Sequence, residues 1–159
     1  MDEVSRLLER VEKHCDEIKR ISKSIEAKSD LPELKTLKIL LAIDGSKNSD
    51  EAVNQALNLA MQTCSEITLL NVVRKPEDFP LGEMLVNDRA MFIRGYGIEV
   101  LTRVESGDPA ANILKVADEI DAGMIVLGLN GSGGLRRVLM GSVSEKVVDE
   151  AKIPVLVVR

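Results

Sequence analysis

The alternation of short apolar runs with helical patterns is the feature that most constrains how this chain can fold. It starts at Lys38 and continues to the end of the chain. Strands that alternate with helices are typical of a parallel sheet, because each parallel connection needs a crossover long enough to hold a helix. The first run, Ile39 to Ile43, is continuously apolar, as expected for a strand that is buried on both faces. The pattern therefore predicts an α/β fold, an open doubly wound parallel sheet with right-handed crossovers and helices on both faces.

The apolar runs predict five strands, at residues 39–43, 67–73, 98–104, 124–127 and 154–158. Helices are predicted to begin near Ser49, at Pro109 and at Ser142, since each position carries a capping or first-turn signal. The segment 74–97 contains two prolines and a glycine before a weak helical pattern resumes. For that segment we expect a loop and one short helix.

Length and charge exclude several classes of protein. A chain of 159 residues is long enough for one α/β domain and too short for two ordinary ones. The net charge of −5 and an aromatic content of 2% argue against a nucleic-acid partner. No apolar run approaches the roughly 20 residues that span a bilayer, and the N-terminus lacks the layout of a signal peptide. We therefore expect no membrane association and a cytoplasmic location.

The two cysteines and the single histidine offer little chemistry. Cys15 and Cys64 lie in separate helical patterns, and neither has another Cys or His at metal-ligand spacing. We expect free buried thiols there rather than a disulfide or a metal site. His14 lies among charged residues, which favours a solvated or interfacial side chain over a catalytic one.

A glycine-rich stretch follows the fourth predicted strand and reads GLNGSGGLRRVLMGSVS over residues 128–144. Ligands of open α/β sheets bind at the carboxyl ends of the strands, which makes this stretch the first candidate site. Its second glycine cluster opens a helix, whose unpaired N–H groups and partial positive charge suit a phosphate. The serines at positions 142 and 144 add hydroxyl groups.

Two better-known phosphate-binding motifs are absent from the sequence. The Walker motif ends in Gly-Lys-Ser or Gly-Lys-Thr, whereas Gly45 to Lys47 read Gly-Ser-Lys. The dinucleotide fingerprint, counted from Gly131 and Gly133, would place Arg136 where its third glycine belongs. The sequence therefore lacks the motif of a P-loop enzyme or a dehydrogenase.

The spacing Gly-x2-Gly-x9-Gly-Ser is filled by Gly128, Gly131, Gly141 and Ser142. Together with the ending PVLVVR, it resembles the ATP-binding branch of the universal stress protein family. The resemblance covers roughly residues 36–159, which we predict to be the nucleotide-binding domain, with residues 1–32 as an N-terminal helical extension.

This resemblance implies a Rossmann-like sheet with strand order 3-2-1-4-5. In that order the topological switch point lies between strands one and four. It implies that Asp44 and the backbone near Ala42 contact ribose and base, and that Val72 lines the adenine pocket. The remaining residues implied at the nucleotide, with Mg²⁺ or Mn²⁺ at its phosphates, are Gly128, Asn130, Gly131, Gly141, Ser142, Val143 and Ser144.

Each of these residues also has a purely structural interpretation. Gly128 and Gly131 could be turn glycines, and Ser142 could only cap a helix. Asp44 could cap a turn, since it precedes a glycine. The full spacing at one sheet edge favours phosphate binding, whereas Arg136 and Arg137 are better explained as solvated surface.

The first 30 residues contain an apolar stripe at helical spacing. Its members are Val4, Leu7, Leu8, Val11, Cys15, Ile18, Ile21 and Ile25. Four of them recur every seven residues, as in a coiled coil. The flanking positions hold Leu8, Cys15 and Ser22 instead of paired charges, so the stripe is too wide for a simple two-stranded seam. Packing on a globular surface or in a helical bundle is expected, with self-association as the preferred use.

The sequence thus favours an ATP-binding regulatory or stress-response protein without dedicated catalytic machinery, since it has no Ser-His-Asp or Cys-His set. One alternative is a non-catalytic oligomeric interaction module that binds AMP or no nucleotide. A third is a slow ATPase or nucleotidase. By resemblance we expect a homo-oligomer, a dimer or larger, formed through the last strand. The apolar stripe of the N-terminal helix, which lies outside the resemblance, leads us to expect that this helix takes part as well.

Overall fold

The computed structural model of the chain describes residues 2–26, 36–129 and 141–159. Its centre is a five-stranded parallel sheet of order β3-β2-β1-β4-β5, which confirms the predicted fold class. The strands are β1 Lys38–Ala42, β2 Glu66–Val73, β3 Val100–Ser106, β4 Met124–Gly128 and β5 Val155–Val158. Strand β1 lies in the middle and pairs with β2 on one side and β4 on the other.

The helices cover both faces of this sheet. Their bounds are α1 Glu3–Glu26, α2 Lys47–Thr63, α3 Phe79–Arg94, α4 Pro109–Glu119 and α5 Ser142–Glu150. Along β1, Ile39 and Leu41 pack with α2 and α3, whereas Leu40 packs with α4 and α5. All three side chains are fully buried, as the two-residue period of a strand covered on both faces requires.

Helix α3 corrects the expectation of a loop and one short helix over residues 74–97. A single 3-10 turn, Pro76–Asp78, leads directly into α3, a helix of 16 residues. Pro80 lies in the first turn of α3, where a missing N–H costs no hydrogen bond. Gly82 lies so near β2 and β3 that a Cβ there would come within 2.8 Å of Asn71 and Val104. Pro80 and Gly82, which local pattern alone would identify as helix breakers, therefore both lie within α3.

The cysteines correct a second expectation. Cys15 of α1 and Cys64, which follows α2, are joined by a disulfide bond with a Cα–Cα distance of 5.3 Å. The prediction of free thiols was wrong because helical spacing tells which residues share a face of one helix, and not which helices meet. Cys64 lies just before the start of β2 at Glu66, so this bond lies at the amino edge of the sheet. Among the described residues, no helix is long and apolar enough to cross a membrane.

Candidate functional site

A cavity of about 550 Å³ lies at the carboxyl edge of the sheet. It is located at the topological switch point, between β1 and β4, where the strand order reverses. Three strand ends and the first turns of three helices line it. Its lining residues are Ala42, Ile43, Asp44, Gly45, Ser46, Ser49, Leu70, Val72, Arg74, Pro109, Ile113, Leu127, Gly128, Gly141, Ser142, Val143 and Ser144. A cavity of this size at a topological switch point is the ordinary ligand site of an open α/β sheet.

The turn after β1 positions Asp44 at this cavity. The Asp44 carboxylate accepts a hydrogen bond from the Ser46 backbone N–H at 2.9 Å, and the Asp44 N–H donates to Ser49 Oγ at 3.1 Å. Gly45 between them has φ +79°, a left-handed conformation that favours glycine. Asp44 therefore does shape the turn, as the structural interpretation held, while one of its carboxylate oxygens has no bond to a described residue.

The buried side-chain amide of Asn71 stabilises the residue that precedes this turn. Asn71 of β2 is 7% exposed, and its Nδ2 donates to the Ile43 carbonyl at 2.7 Å. The Ile43 N–H donates to Leu70 O at 2.8 Å, so both backbone groups of Ile43 are bonded to β2. Asp44 therefore lies at the rim of the cavity and follows Ile43, whose backbone N–H and carbonyl are both hydrogen-bonded.

Gly128 lets the end of β4 come close to the first turn of α2. A Cβ at Gly128 would lie 2.7 Å from the Asn48 carbonyl carbon and 2.8 Å from the Ser49 nitrogen. Those contacts are with backbone, which cannot rotate away as a side chain could. The glycine at this position is therefore required by packing, whatever it does for a ligand.

One residue, Leu129, joins the end of the sheet to the start of α5. Its N–H donates to Val158 O at 2.7 Å, and its carbonyl accepts from the Gly141 N–H at 3.1 Å. The Ser144 hydroxyl lies 2.9 Å from Leu129 O and 3.0 Å from Gly141 O. Because Ser144 is buried and its hydroxyl hydrogen is used in this way, only its backbone N–H is left for a ligand.

The three helix N-termini at the cavity differ in how they are capped. The first turn of α2 is capped by Ser46, whose Oγ accepts from the Ser49 N–H at 3.2 Å. The first turn of α4 is capped by Asp108, whose carboxylate accepts from the Ala111 N–H at 2.7 Å. Helix α5 has Gly141 at its cap position, which has no side chain to accept a bond. Within the part of the chain that the structure describes, α5 alone presents an uncapped first turn to the cavity.

Arg74 is a cavity residue that the sequence reasoning missed. It follows the end of β2, is exposed, and lines the cavity together with Val72. Its spacing of two residues from Val72 was the available signal, because residues i and i+2 lie on one face of an extended strand. No other described residue is bonded to its guanidinium group.

An exposed ion pair connects α4 and α5, two helices whose first turns line the cavity. Lys146 Nζ of α5 lies 3.3 Å from the Asp108 carboxylate at the cap of α4. The Ala111 N–H, and then Lys146, hold the pKa of Asp108 below its usual value of 3.8. The carboxylate is therefore charged at neutral pH and caps α4 in its stronger, ionised form.

The sequence-predicted site residues fall into two groups. Those that lie at the cavity are Ala42, Asp44, Val72, Gly128, Gly141, Ser142, Val143 and Ser144. Asn130 and Gly131 lie outside the described residues. The described part of the chain contains no cluster of three or more His, Cys, Asp or Glu side chains that could hold a metal ion by itself.

Comparison with known proteins gives one consistent result. A sequence model described as the Universal stress protein family matches residues 35–159. The chain is similar to a universal stress protein of Methanocaldococcus jannaschii, with 31% identity over 138 residues that cover 77% of this chain and 81% of the relative.

Two solved structures illustrate the structural likeness. Universal stress protein UspA from Lactobacillus plantarum has 26% identity and a TM-score of 0.63, over 79% of this chain and 99% of the other. The universal stress protein from Archaeoglobus fulgidus in complex with dAMP has 22% identity and a TM-score of 0.66, over the same shares of the two chains. At that identity the second likeness shows the fold alone.

Proposed function

Because the chain belongs to the universal stress protein family, we propose that it binds an adenine nucleotide, ATP in particular, in the cavity at the carboxyl edge of its sheet. The observation that carries this proposal is the first turn of α5, which faces the cavity without a side-chain cap. Backbone N–H groups of residues 142–144 are then donors for phosphate oxygens, and the helix dipole favours their negative charge.

The other end of the cavity suits a nucleoside. Ala42, Val72 and Ile113 provide apolar contacts of the kind that a flat base needs, and Asp44 supplies a carboxylate that can accept a hydrogen bond from a ribose hydroxyl. A relative of the same fold holds dAMP, an adenine nucleotide. Arg74 adds a positive charge at the cavity, which offsets part of the charge of a phosphorylated ligand.

A divalent cation, Mg²⁺ or Mn²⁺, would bind here mainly through the nucleotide. Asp44 is the carboxylate that lines the cavity in the described part of the chain. Because the free oxygen of Asp44 is assigned to the ribose, the phosphates and water would supply most ligands of the cation, and Mg²⁺ usually keeps several of its waters. The cation would neutralise phosphate charge.

The proposed role is regulatory: binding of ATP, rather than its turnover, during a stress response in the cytoplasm. The described cavity contains no histidine, and Asp44 is engaged in the turn after β1. AMP as the ligand, an interaction module without nucleotide and slow hydrolysis are the competing functions that the experiment must separate.

Isothermal titration with ATP, ADP, AMP and adenosine tests the proposal directly. If α5 holds the phosphates, affinity should fall in that order, with adenosine weakest. Gly141 has φ −63° and ψ 154°, a backbone conformation that accepts a side chain, so Gly141→Val adds bulk at the first turn of α5 without backbone strain. This variant should weaken ATP binding at least ten-fold and adenosine binding much less.

Val148→Ala is the matched control, because Val148 lies on the exposed side of the same helix. Equal affinity for ATP and adenosine, or no binding of either, would contradict the proposal. AMP binding as tight as ATP binding would favour the monophosphate, and release of phosphate over many turnovers would favour the enzyme.

The family resemblance also supports a homo-oligomer formed through the last strand. Strand β5 is an edge of the sheet, and its Leu156 side chain is exposed. An edge strand with unpaired backbone groups and exposed apolar side chains is commonly covered by another chain. Leu156→Lys should then lower the molar mass measured by light scattering.

A further inference from the structure

The order of the strands divides the cavity into a base side and a phosphate side. Val72 lies at the end of β2 with Arg74 just after it, Asp44 follows β1, and α5 begins beside the end of β4. Because β1 lies between β2 and β4, the ends of those two strands are two strand spacings apart, about 9.5 Å. With the phosphates at α5 and the ribose at Asp44, the side next to β2 is left for the base.

The walls of this base side are aliphatic. Its lining residues on β1, β2 and α4 are Ala42, Leu70, Val72 and Ile113. The chain contains two phenylalanines, one tyrosine and no tryptophan, and all three aromatic residues lie in α3 or just after it, outside the lining of the cavity. A base bound here would therefore have no aromatic side chain to stack on.

The guanidinium group of Arg74 can take the place of such a ring. Guanidinium groups are planar and stack on aromatic rings and on nucleic-acid bases, whereas an ammonium group has no plane. Arg74 is the one cationic side chain in the lining that the structure describes. It follows Val72 by two residues, so the two side chains lie on the same face of the extended chain.

No described carboxylate holds Arg74 away from the cavity. Two acidic side chains lie beside the end of β2, Glu105 of β3 and Asp108 in the turn after β3. The Glu105 carboxylate accepts a hydrogen bond from Arg103 Nε at 2.6 Å. The Asp108 carboxylate caps α4 and pairs with Lys146. Since no residue in the described ranges forms a hydrogen bond or an ion pair with Arg74, its guanidinium is available to a ligand.

We propose that Arg74 stacks on the outer face of the base of the bound nucleotide and thereby favours purines. The inner face of the base then lies on the aliphatic side chains of the base side. This inference rests on the proposed binding of a nucleotide and adds a specificity-determining residue to it. Because a purine offers two fused rings to the guanidinium plane and a pyrimidine only one, the stack strengthens binding of adenosine more than binding of cytidine.

Adenosine separates a stacked guanidinium from a phosphate ligand, because adenosine has no phosphate. Titrations followed by NMR of the ¹⁵N-labelled full-length protein measure its affinity into the millimolar range. Arg74→Ala should weaken binding of adenosine and of ATP by the same factor, about three- to ten-fold, and should reduce the preference for adenosine over cytidine. Arg74→Lys keeps the charge without the plane and should also weaken adenosine binding.

Lys75→Ala is the matched control, because Lys75 is a neighbouring exposed cation outside the lining of the cavity. It should leave adenosine affinity unchanged, and circular dichroism melts verify that each variant is folded.

The Arg74 Nε–Hε signal reports the stack directly and is assigned by its loss in Arg74→Lys. Adenosine should move this signal upfield, because a base above the guanidinium shields it through its ring current. Inorganic triphosphate has no base and should cause no upfield shift.

A loss of ATP affinity in Arg74→Ala with unchanged adenosine affinity would overturn the stack and identify Arg74 as a phosphate ligand. Full adenosine affinity in Arg74→Lys would overturn it too, as would a wild type that binds ATP but not adenosine. A wild type that binds neither compound contradicts the proposed function itself, whereas wild-type binding that no Arg74 variant changes contradicts the stack alone.

Discussion

The side chain of Gly128 is a single hydrogen atom, and this allows β4 to pack directly against the backbone of the first turn of α2. The distances of a hypothetical Cβ from the Asn48 and Ser49 backbone, 2.7 and 2.8 Å, leave no room for a methyl group. Ser49 in turn caps the turn that carries Asp44, through its bond from the Asp44 N–H. A change at this one residue is therefore transmitted to the cavity through backbone.

Gly128→Ala should destabilise the protein by about 1–3 kcal/mol, the usual cost of forcing extra volume into a packed site. Urea unfolding followed by circular dichroism measures this difference. Gly95→Ala is the control for a smaller overlap, because Gly95 has φ −58° and its added Cβ would lie 3.2 Å from the Phe92 carbonyl oxygen, a tight contact but a longer one than at Gly128. The interpretation of Gly128 as a packing residue is wrong if the two variants are equally stable.

At the scale of elements, an exposed ion pair connects α4 and α5, two of the helices that line the cavity. Asp108 both caps α4 and pairs with Lys146 of α5. Its ionised form is favoured in the folded state, because its pKa is lowered there by the Ala111 N–H and then by Lys146. The stability that this carboxylate contributes is therefore present above its usual pKa and is lost as the pH falls through the lowered one.

Asp108→Asn keeps a capping oxygen and removes the charge. The wild type should melt at a higher temperature than this variant at pH 7, and the difference should disappear as the pH falls below 3.8. Thermal melts from pH 7 to pH 2.5 measure it, with Asp149→Asn on the exposed surface of α5 as the control for loss of one negative charge. A difference that stays constant over this range would contradict the assignment.

Helix α1 is joined covalently to the residue that follows α2, through the Cys15–Cys64 disulfide bond. It is about 36 Å long and leaves most of its surface exposed. Reduction by a dithiol, or Cys15→Ser, should increase amide hydrogen exchange in α1 at least ten-fold and leave β1 and β4 protected as before. A parallel loss of protection in the sheet would show instead that α1 is part of the cooperative core.

At the scale of the whole molecule, the cavity and the Cys15–Cys64 bond that holds α1 lie at opposite edges of the sheet. No described element shared by both has two alternative arrangements, so we expect no coupling between the two sites. Cys15→Ser should change ATP affinity less than two-fold, and saturating ATP should leave amide hydrogen exchange in α1 unchanged. A larger effect in either experiment would reveal communication across the sheet.

Much of this architecture could be predicted from the chain itself. Strands buried on both faces produce continuous apolar runs, and helices produce a 3.6-residue period, so the element order follows from local patterns. Helix α3 was missed because Pro80 and Gly82 are read as breakers until the neighbouring strands are known.

Other features depend on tertiary contacts that no local pattern contains. The bond between Cys15 and Cys64 joins residues 49 positions apart. The role of Arg74 depends on where β2 ends relative to α4, and the close approach at Gly128 depends on the angle of α2. The family resemblance identified the residues of the candidate site. The contacts in the structure were needed to show which of them also stabilise the fold, as Gly128 and Ser144 do.

The double attachment at Leu129 has a consequence for how chains of this kind can vary. Its carbonyl and the Gly141 N–H meet at 3.1 Å, so the chain leaves the sheet and returns to it at nearly the same point. Because these bonds join backbone groups, the side chains at positions 129 and 141 can vary without loss of the junction between the sheet and α5.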